Sequence, residues 1–238
     1  MKRSMLIGGA ALLAGSLLAL AATPKDEVTA AAKKLADQPN YSWKQTVTVP
    51  EGSQFQPGPT TGKAQKDGLL WVSMTMRDNE MQMLRKGDKA AYIDQDGNWQ
   101  AVAEGDSSEG PGRFMGMMAR NLRPPAAQVE QVLTNTATLK KDGDTYAADL
   151  TEDGAKNLMM FGRRGRGGGG EGPSISNAKG SVKFWVKDGV LSKFEYKVQG
   201  TMTWNNNDRD IDRTTTVEIK DVGTTKIDVP EDAKKKVS

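Results

Sequence analysis

Arg163, Arg164 and Arg166 stand among glycines, and Gly165, Gly167 and Gly170 fit the spacing G-x-G-x-x-G. That spacing cradles a pyrophosphate when a strand precedes it and a helix N-terminus follows. Here a helix-like segment ending at Phe161 lies in front, Pro173 follows, and the lysine of a phosphate-binding loop is missing. The stretch reads instead as a flexible Gly/Arg-rich loop over 162–173, its three guanidiniums being candidates for contact with surface anions such as lipid head groups. Asp208, Asp210 and Asp212 imitate the start of a calcium loop, but Arg213 and Ile219 occupy the positions where its glycine and glutamate belong. They read as the wet face of a strand, and Asp94-Gln95-Asp96-Gly97-Asn98 reads as a hairpin turn. The chain has no cysteine and no histidine. Thiol nucleophiles, imidazole bases, disulfides, zinc sites and Ser-His-Asp catalysis are thereby excluded. No pair of carboxylates stands out for glycoside chemistry, so the expectation is a non-enzyme without cofactor or metal.

Methionine is the residue type that remains to be explained. Ten of the twelve lie beyond the first 21 residues, nine of them in the clusters 74–83, 115–118 and 159–160. Unbranched thioethers repack around shapes that vary, as a surface for flexible apolar ligands requires. The competing reading is that they fill an irregular core between a twisted sheet and its helices.

The elements that must position these side chains follow from periodicity. Pro24 to Asp37 reads as a helix, with Asp26 and Glu27 near its positive end and Val28, Ala31, Ala32 and Leu35 on one stripe. After Pro39 the period becomes two: Tyr41, Trp43, Val47 and Val49 point one way, and the pattern returns at 70–76, 81–83, 182–186, 194–204 and 211–219. Turn signals at 66–68, 77–79, 86–88, 96–98 and 187–189 make neighbouring strands antiparallel. About nine to eleven strands with one dry face are expected, too wide a sheet to stay flat. Gly112 to Arg123, Pro124 to Leu133 and Thr151 to Phe161 supply helices to cover it. The fold class is α+β: a strongly curved antiparallel sheet, an unclosed β-barrel, with helices over its concave face.

Inward positions of this arrangement are the candidates for a cavity lining. On the early strands they are Trp43, Val72, Met74, Met76, Met81 and Met83. The helices contribute Phe114, Met117, Met118, Leu158 and Met159, and the late strands Phe184, Phe194, Tyr196 and Met202. Trp71 and Trp185 fall on the wet side, where a long neighbouring side chain or a terminal helix is expected to cover them.

Composition sets the address. With 37% apolar and 26% charged residues, the 238-residue chain is globular in character. Lys2 and Arg3, an apolar run over 5–20 and Ala19-Leu20-Ala21 read as a signal peptide cleaved after Ala21. No cysteine follows the cleavage point, so lipid anchoring by the lipoprotein route is excluded. Removing the signal leaves 31 basic residues against 30 acidic, a balance that points to neither nucleic acid nor wholesale membrane adhesion. The expectation is a bacterial periplasmic protein, monomeric, with one domain from residue 22 to 238.

Several of these features together resemble the periplasmic lipoprotein-carrier (LolA-like) superfamily, which also includes mycobacterial lipid-carrying lipoproteins. They are the export signal, the opening helix, Tyr41-Ser42-Trp43 entering the first strand, the meander from Gly68-Leu69-Leu70-Trp71, and the central Met-rich helices. The long strand pair from Gly180 to Trp204 and the ending Thr225-Lys226-Ile227-Asp228-Val229-Pro230 continue the likeness. The resemblance implies carriage of the acyl chains of a lipid or lipoprotein without covalent chemistry, with a membrane donor or receptor as a further partner. The Gly-rich insertion departs from the family pattern. Some carriers latch their lid with a strand arginine, and the sequence leaves Arg77 and Arg85 unassigned to that role. The alternative reading is a non-catalytic envelope sensor or protein-interaction module of the same fold.

Overall fold

The computed structural model describes residues 22–53, 56–76, 79–94, 96–102, 111–160, 173–205 and 207–238; for Met76, Asn79 and residues 111–114 it describes the backbone. Helix α1 (Pro24–Ala36) begins where a capping box makes it begin. The Thr23 hydroxyl accepts the Asp26 amide at 3.2 Å, and the Asp26 carboxylate accepts the Thr23 amide at 3.0 Å. Val28, Ala31, Ala32 and Leu35 form its buried stripe.

A meander follows: β1 (Asn40–Thr48), β2 (Thr60–Gln65), β3 (Leu70–Met76), β4 (Asn79–Lys86), β5 (Lys89–Ile93) and β6 (Trp99–Ala101). Helices α2 (Pro111–Asn121) and α3 (Pro125–Leu133) then carry the chain to β7 (Lys140–Asp142) and β8 (Thr145–Asp149). Helix α4 (Glu152–Met159), capped by the Thr151 hydroxyl on the Gly154 amide, leads to the long strands β9 (Ser174–Lys187), β10 (Val190–Trp204) and β11 (Asn207–Lys220). A last short helix, α5 (Glu231–Lys236), closes the order. Asp188 and Gly189, with φ of 54° and 73°, make the two-residue turn between β9 and β10; both need the left-handed region, which Asp tolerates and Gly prefers.

All eleven strands form one antiparallel sheet in the order β6-β5-β4-β3-β2-β1-β11-β10-β9-β8-β7. Its two edges, β6 and β7, do not meet, so the barrel stays open, as expected from the alternation. Register shifts between Leu191 and Lys193 and between Gln199 and Thr201 bend the β9–β10 ladder. Cross-strand registers place Trp43, Gly62, Val72, Met83 and Tyr92 in one row across β1 to β5, on the face that carries the helices. Trp43 lies flat on Gly62, where a Cβ would come within 2.1 Å of the indole. Helix α1 is fixed to the far half by Glu27, whose carboxylate accepts the Tyr146 hydroxyl at 2.5 Å and the Lys141 ammonium.

One expectation needs correction: the opposite face is not wet throughout. Leu69, Leu84, Ala91 and Trp99 there pack under Ile227, Val229, Ala233 and Val237, so the C-terminal segment builds a second small core on the outer side of β3 to β6. The reason is local. Strand β4 carries apolar residues of both parities, Met83 inward and Leu84 outward, and both are fully buried. Trp71 joins this outer core and lies under the Lys63 ammonium at 5.4 Å, while the Lys193 ammonium covers Trp185 at 4.5 Å. Both tryptophans are thus covered as expected.

Candidate functional site

The residues nominated from the sequence divide into two groups on the helix-bearing face. Trp43, Val72, Leu158, Met159, Phe184, Phe194 and Tyr196 belong to one buried cluster, packed against α1, α3 and α4. Phe184 and Phe194, opposite each other across β9 and β10, have ring centroids 6.4 Å apart. Met159 reaches over Gly200, where a Cβ would come within 3.0 Å of the methionine methyl carbon. Met202, farther along the same face of β10, is also buried.

A separate cluster lies beside this core. Met83, Ala90, Met115 and Ala119 are buried, with the half-buried Met74, Met81, Met118 and Leu122 packed on them. The strands supply Met74 opposite Met81 and Val72 opposite Met83. Helix α2 answers with Met115, Met118 and Ala119, and Leu122 just past its end continues the stripe at i, i+3, i+4 and i+7. The product is a methionine seam between β3–β5 and α2. Met117 is half-buried but off this stripe. Met76 and Phe114 have backbone positions on β3 and α2 only, and Arg163, Arg164, Arg166 and the Gly/Arg-rich segment lie outside the described residues.

Arg85 faces the same side and closes the seam at one end. Its Nη1 donates to the carbonyl oxygens of Arg120 at 3.0 Å and Leu122 at 2.7 Å, and its Nε to that of Gly87 at 2.9 Å. The first two acceptors are at the C-terminal end of α2, where carbonyls lack helical partners and the helix dipole favours a cation. Burial, followed by the nearby Arg123 charge, pulls the Arg85 pKa down, and Asp88 opposes them. Arg85 thus ties β4 to the end of α2, while Arg77 lies outside the described residues. A second arginine repeats the arrangement: Arg213 of β11 donates to the carbonyls of Leu158 and Met159, at 2.7 and 3.2 Å, at the end of α4. Neither contact has a sequence signature, because every residue offers a carbonyl.

Two adjoining grooves open beside the Arg85 latch. One, of about 220 Å³, runs between α1, β2 and α3, and the other, of about 240 Å³, between the β2–β3 turn, β4 and the α2–α3 connection. Ala64, Gln65 and Pro124 belong to both. Each is smaller than the roughly 300–1,000 Å³ of small-molecule sites. Tyr41 floors the first; the Ala126 amide donates to its hydroxyl, and burial pushes its pKa well above the ordinary value.

The acidic row of β11 is satisfied by β10: Thr203 donates to Asp208 at 2.6 Å, Thr201 to Asp210 at 2.9 Å and Gln199 to Asp212 at 2.7 Å. Among the described residues no group of three or more acidic side chains could hold a metal ion. None of their helices is long and apolar enough to cross a membrane.

No family model matches the sequence, and no curated protein matches it. Among solved structures, the chain is similar to the lipoprotein LppX of Mycobacterium tuberculosis, at 11% identity and a TM-score of 0.47 over 87% of this chain and 97% of that one. It is similar to LprF of Mycobacterium bovis at 11% identity and a TM-score of 0.43, over 87% of this chain and 95% of that one. It is also similar to a LolA superfamily protein of Nitrosomonas europaea at 12% identity and a TM-score of 0.34, over 89% and 97% of the two chains. The first of these is a lipoprotein and the third a LolA superfamily member.

Proposed function

We propose that this protein carries the acyl chains of a lipid or lipoprotein through the bacterial periplasm, binding them without covalent chemistry under a movable α2 lid. The observation that carries the reading is the methionine seam: apolar, adaptable, joined to the main core only along its border at Met74 and Leu122, and closed by one helix whose end Arg85 clips. Raising α2 opens this seam while the cluster around Phe184 and Phe194 stays packed under α1, α3 and α4. The two grooves are the starting points of that opening. In this reading residues 1–21 direct export and are removed, and the remainder works as one soluble monomeric domain that exchanges cargo with a membrane donor or receptor. Native mass spectrometry of the protein purified from a bacterial envelope tests it: a lipid mass is expected that organic extraction removes, with lower occupancy in Met118→Phe. No bound lipid before extraction overturns carriage.

One observation favours a second reading, an interaction module of the same fold. Trp204, 41% exposed, sits at the tip of the β10–β11 hairpin, where it is available to a partner.

A further inference from the structure

The grooves beside the latch share a chemical character that the methionine seam lacks. Their charged side chains are four basic, Lys33, Lys66, Arg85 and Arg123, and one acidic, Glu130. In a chain whose charge is otherwise balanced, this is a local excess. Lys33, Lys66 and Arg123 are exposed, and none has an ion-pair partner among the described residues. By contrast Asp67, in the adjacent turn, is already held by Lys86 at 2.7 Å. The Arg123 guanidinium lowers the pKa of Arg85 by more than the Asp88 carboxylate raises it, so a net like-charge repulsion remains at this corner. A bound anion would relieve that repulsion, and the planar guanidinium fork suits phosphate oxygens.

The floor is apolar. Ala64, Leu69, Leu70, Leu122 and Pro124 line it, and Leu122 also packs against the methionine seam. A ligand seated here therefore has its charged end among the basic rim and its apolar end directed past Leu122 toward α2. The volume of about 240 Å³ suits a head group and its first methylenes rather than a whole lipid.

We infer that the groove pair at the α2–α3 connection is a head-group subsite for an acyl lipid bearing an anionic phosphate, with Lys33, Lys66 and Arg123 as its cationic rim. This deepens the carrier reading and rests on it: the seam takes the chain, and the groove reads the head. It is distinct from the Gly/Arg-rich stretch that the sequence nominated for anions.

The test titrates the full chain calorimetrically with three probes: dodecanoyl lysophosphatidylglycerol, uncharged dodecanoyl glycerol, each below its micelle concentration, and glycerol phosphate as the head alone. The anionic amphiphile is expected to bind about tenfold more tightly than the uncharged one, the effect of one charge-assisted contact. The pair Lys66→Glu and Arg123→Glu, both at exposed positions, erases that preference. Lys235→Glu together with Lys236→Glu, an equal charge change on α5 across the sheet, retains it. Equal affinity of the wild type for both amphiphiles overturns the head-group site but leaves carriage standing. Glycerol phosphate binding as tightly as its lipid also overturns it, making this a bare anion site. Binding of neither amphiphile overturns both readings.

Discussion

Replacing Arg85 by alanine removes the clip on α2 without touching the apolar contacts of the seam. The size of the effect can be worked from the two bonds that end on the helix, at 3.0 and 2.7 Å. Hydrogen bonds to charged groups contribute about 1.5–3 kcal/mol each. Arg85 is only half-buried, water can reach the freed carbonyls from the adjoining groove, and relief of the repulsion from Arg123 offsets part of the loss. About 1 kcal/mol per bond, or about 2 kcal/mol for the latch, is therefore the reasoned figure. Each 1.4 kcal/mol is a factor of ten, so opening of α2 should become about thirtyfold more frequent. Native-state hydrogen exchange reads this directly, because local opening exposes the amides of one element while others remain protected. Amides in the last two turns of α2 are expected to exchange about thirtyfold faster in Arg85→Ala, those of α1 at the wild-type rate, and Arg85→Lys should fall between. Unchanged α2 exchange, or an equal acceleration in α1, refutes the latch.

Two further outcomes follow from contacts that fasten the rest of the sheet. Gly62→Val should cost about 2–3 kcal/mol in urea unfolding, near the top of the range for overpacking, because the new Cβ meets the Trp43 indole and not a flexible chain end; a loss under about 0.5 kcal/mol would show that the indole has room to move. Glu27 is held below its ordinary carboxyl value of 4.5, first by Lys141 and then by Tyr146. A carboxyl with a depressed folded pKa contributes fully above its unfolded value and loses that contribution as pH falls through the folded one. Glu27→Gln should therefore lower stability at neutral pH and flatten the decline below about pH 4.5, read as urea midpoints across a pH series; an acid decline as steep as the wild type's counts against the Glu27 contact.

What the sequence disclosed and what it withheld have physical causes. Helix α1 was legible because capping, proline at the first turn and a buried stripe agree at the same residues. Strands β1, β3 and β9 to β11 were legible because one face of each is dry. Strand β7 was not: Lys140, Lys141 and Asp142 are all exposed, and only pairing with β8 makes them a strand. The cover that Ile227, Val229, Ala233 and Val237 give the outer face of the sheet was not legible. Their spacing changes from two to four as the chain passes from extended backbone into α5, so neither period is sustained. For the site, inward parity identified most of the buried candidates, but it could not separate a packed core from a seam. That division depends on which helix covers which row. The arginine latches escaped for a different reason, since their acceptors are main-chain atoms.

The place of β1 in the sheet has a consequence for how the molecule comes into being. Its neighbour on one side is the next strand in the chain, but on the other it is β11, and Ser42 bonds to Asp221 at a separation of 179 residues. No earlier strand stands in for β11. While the chain is being synthesised, the central join must wait until β11 has emerged, with each half able to form only its own hairpins. Late closure of this kind slows maturation and prolongs exposure of unpaired strand borders. A nascent chain of this topology therefore keeps one border of β1 open to wrong partners until β11 arrives.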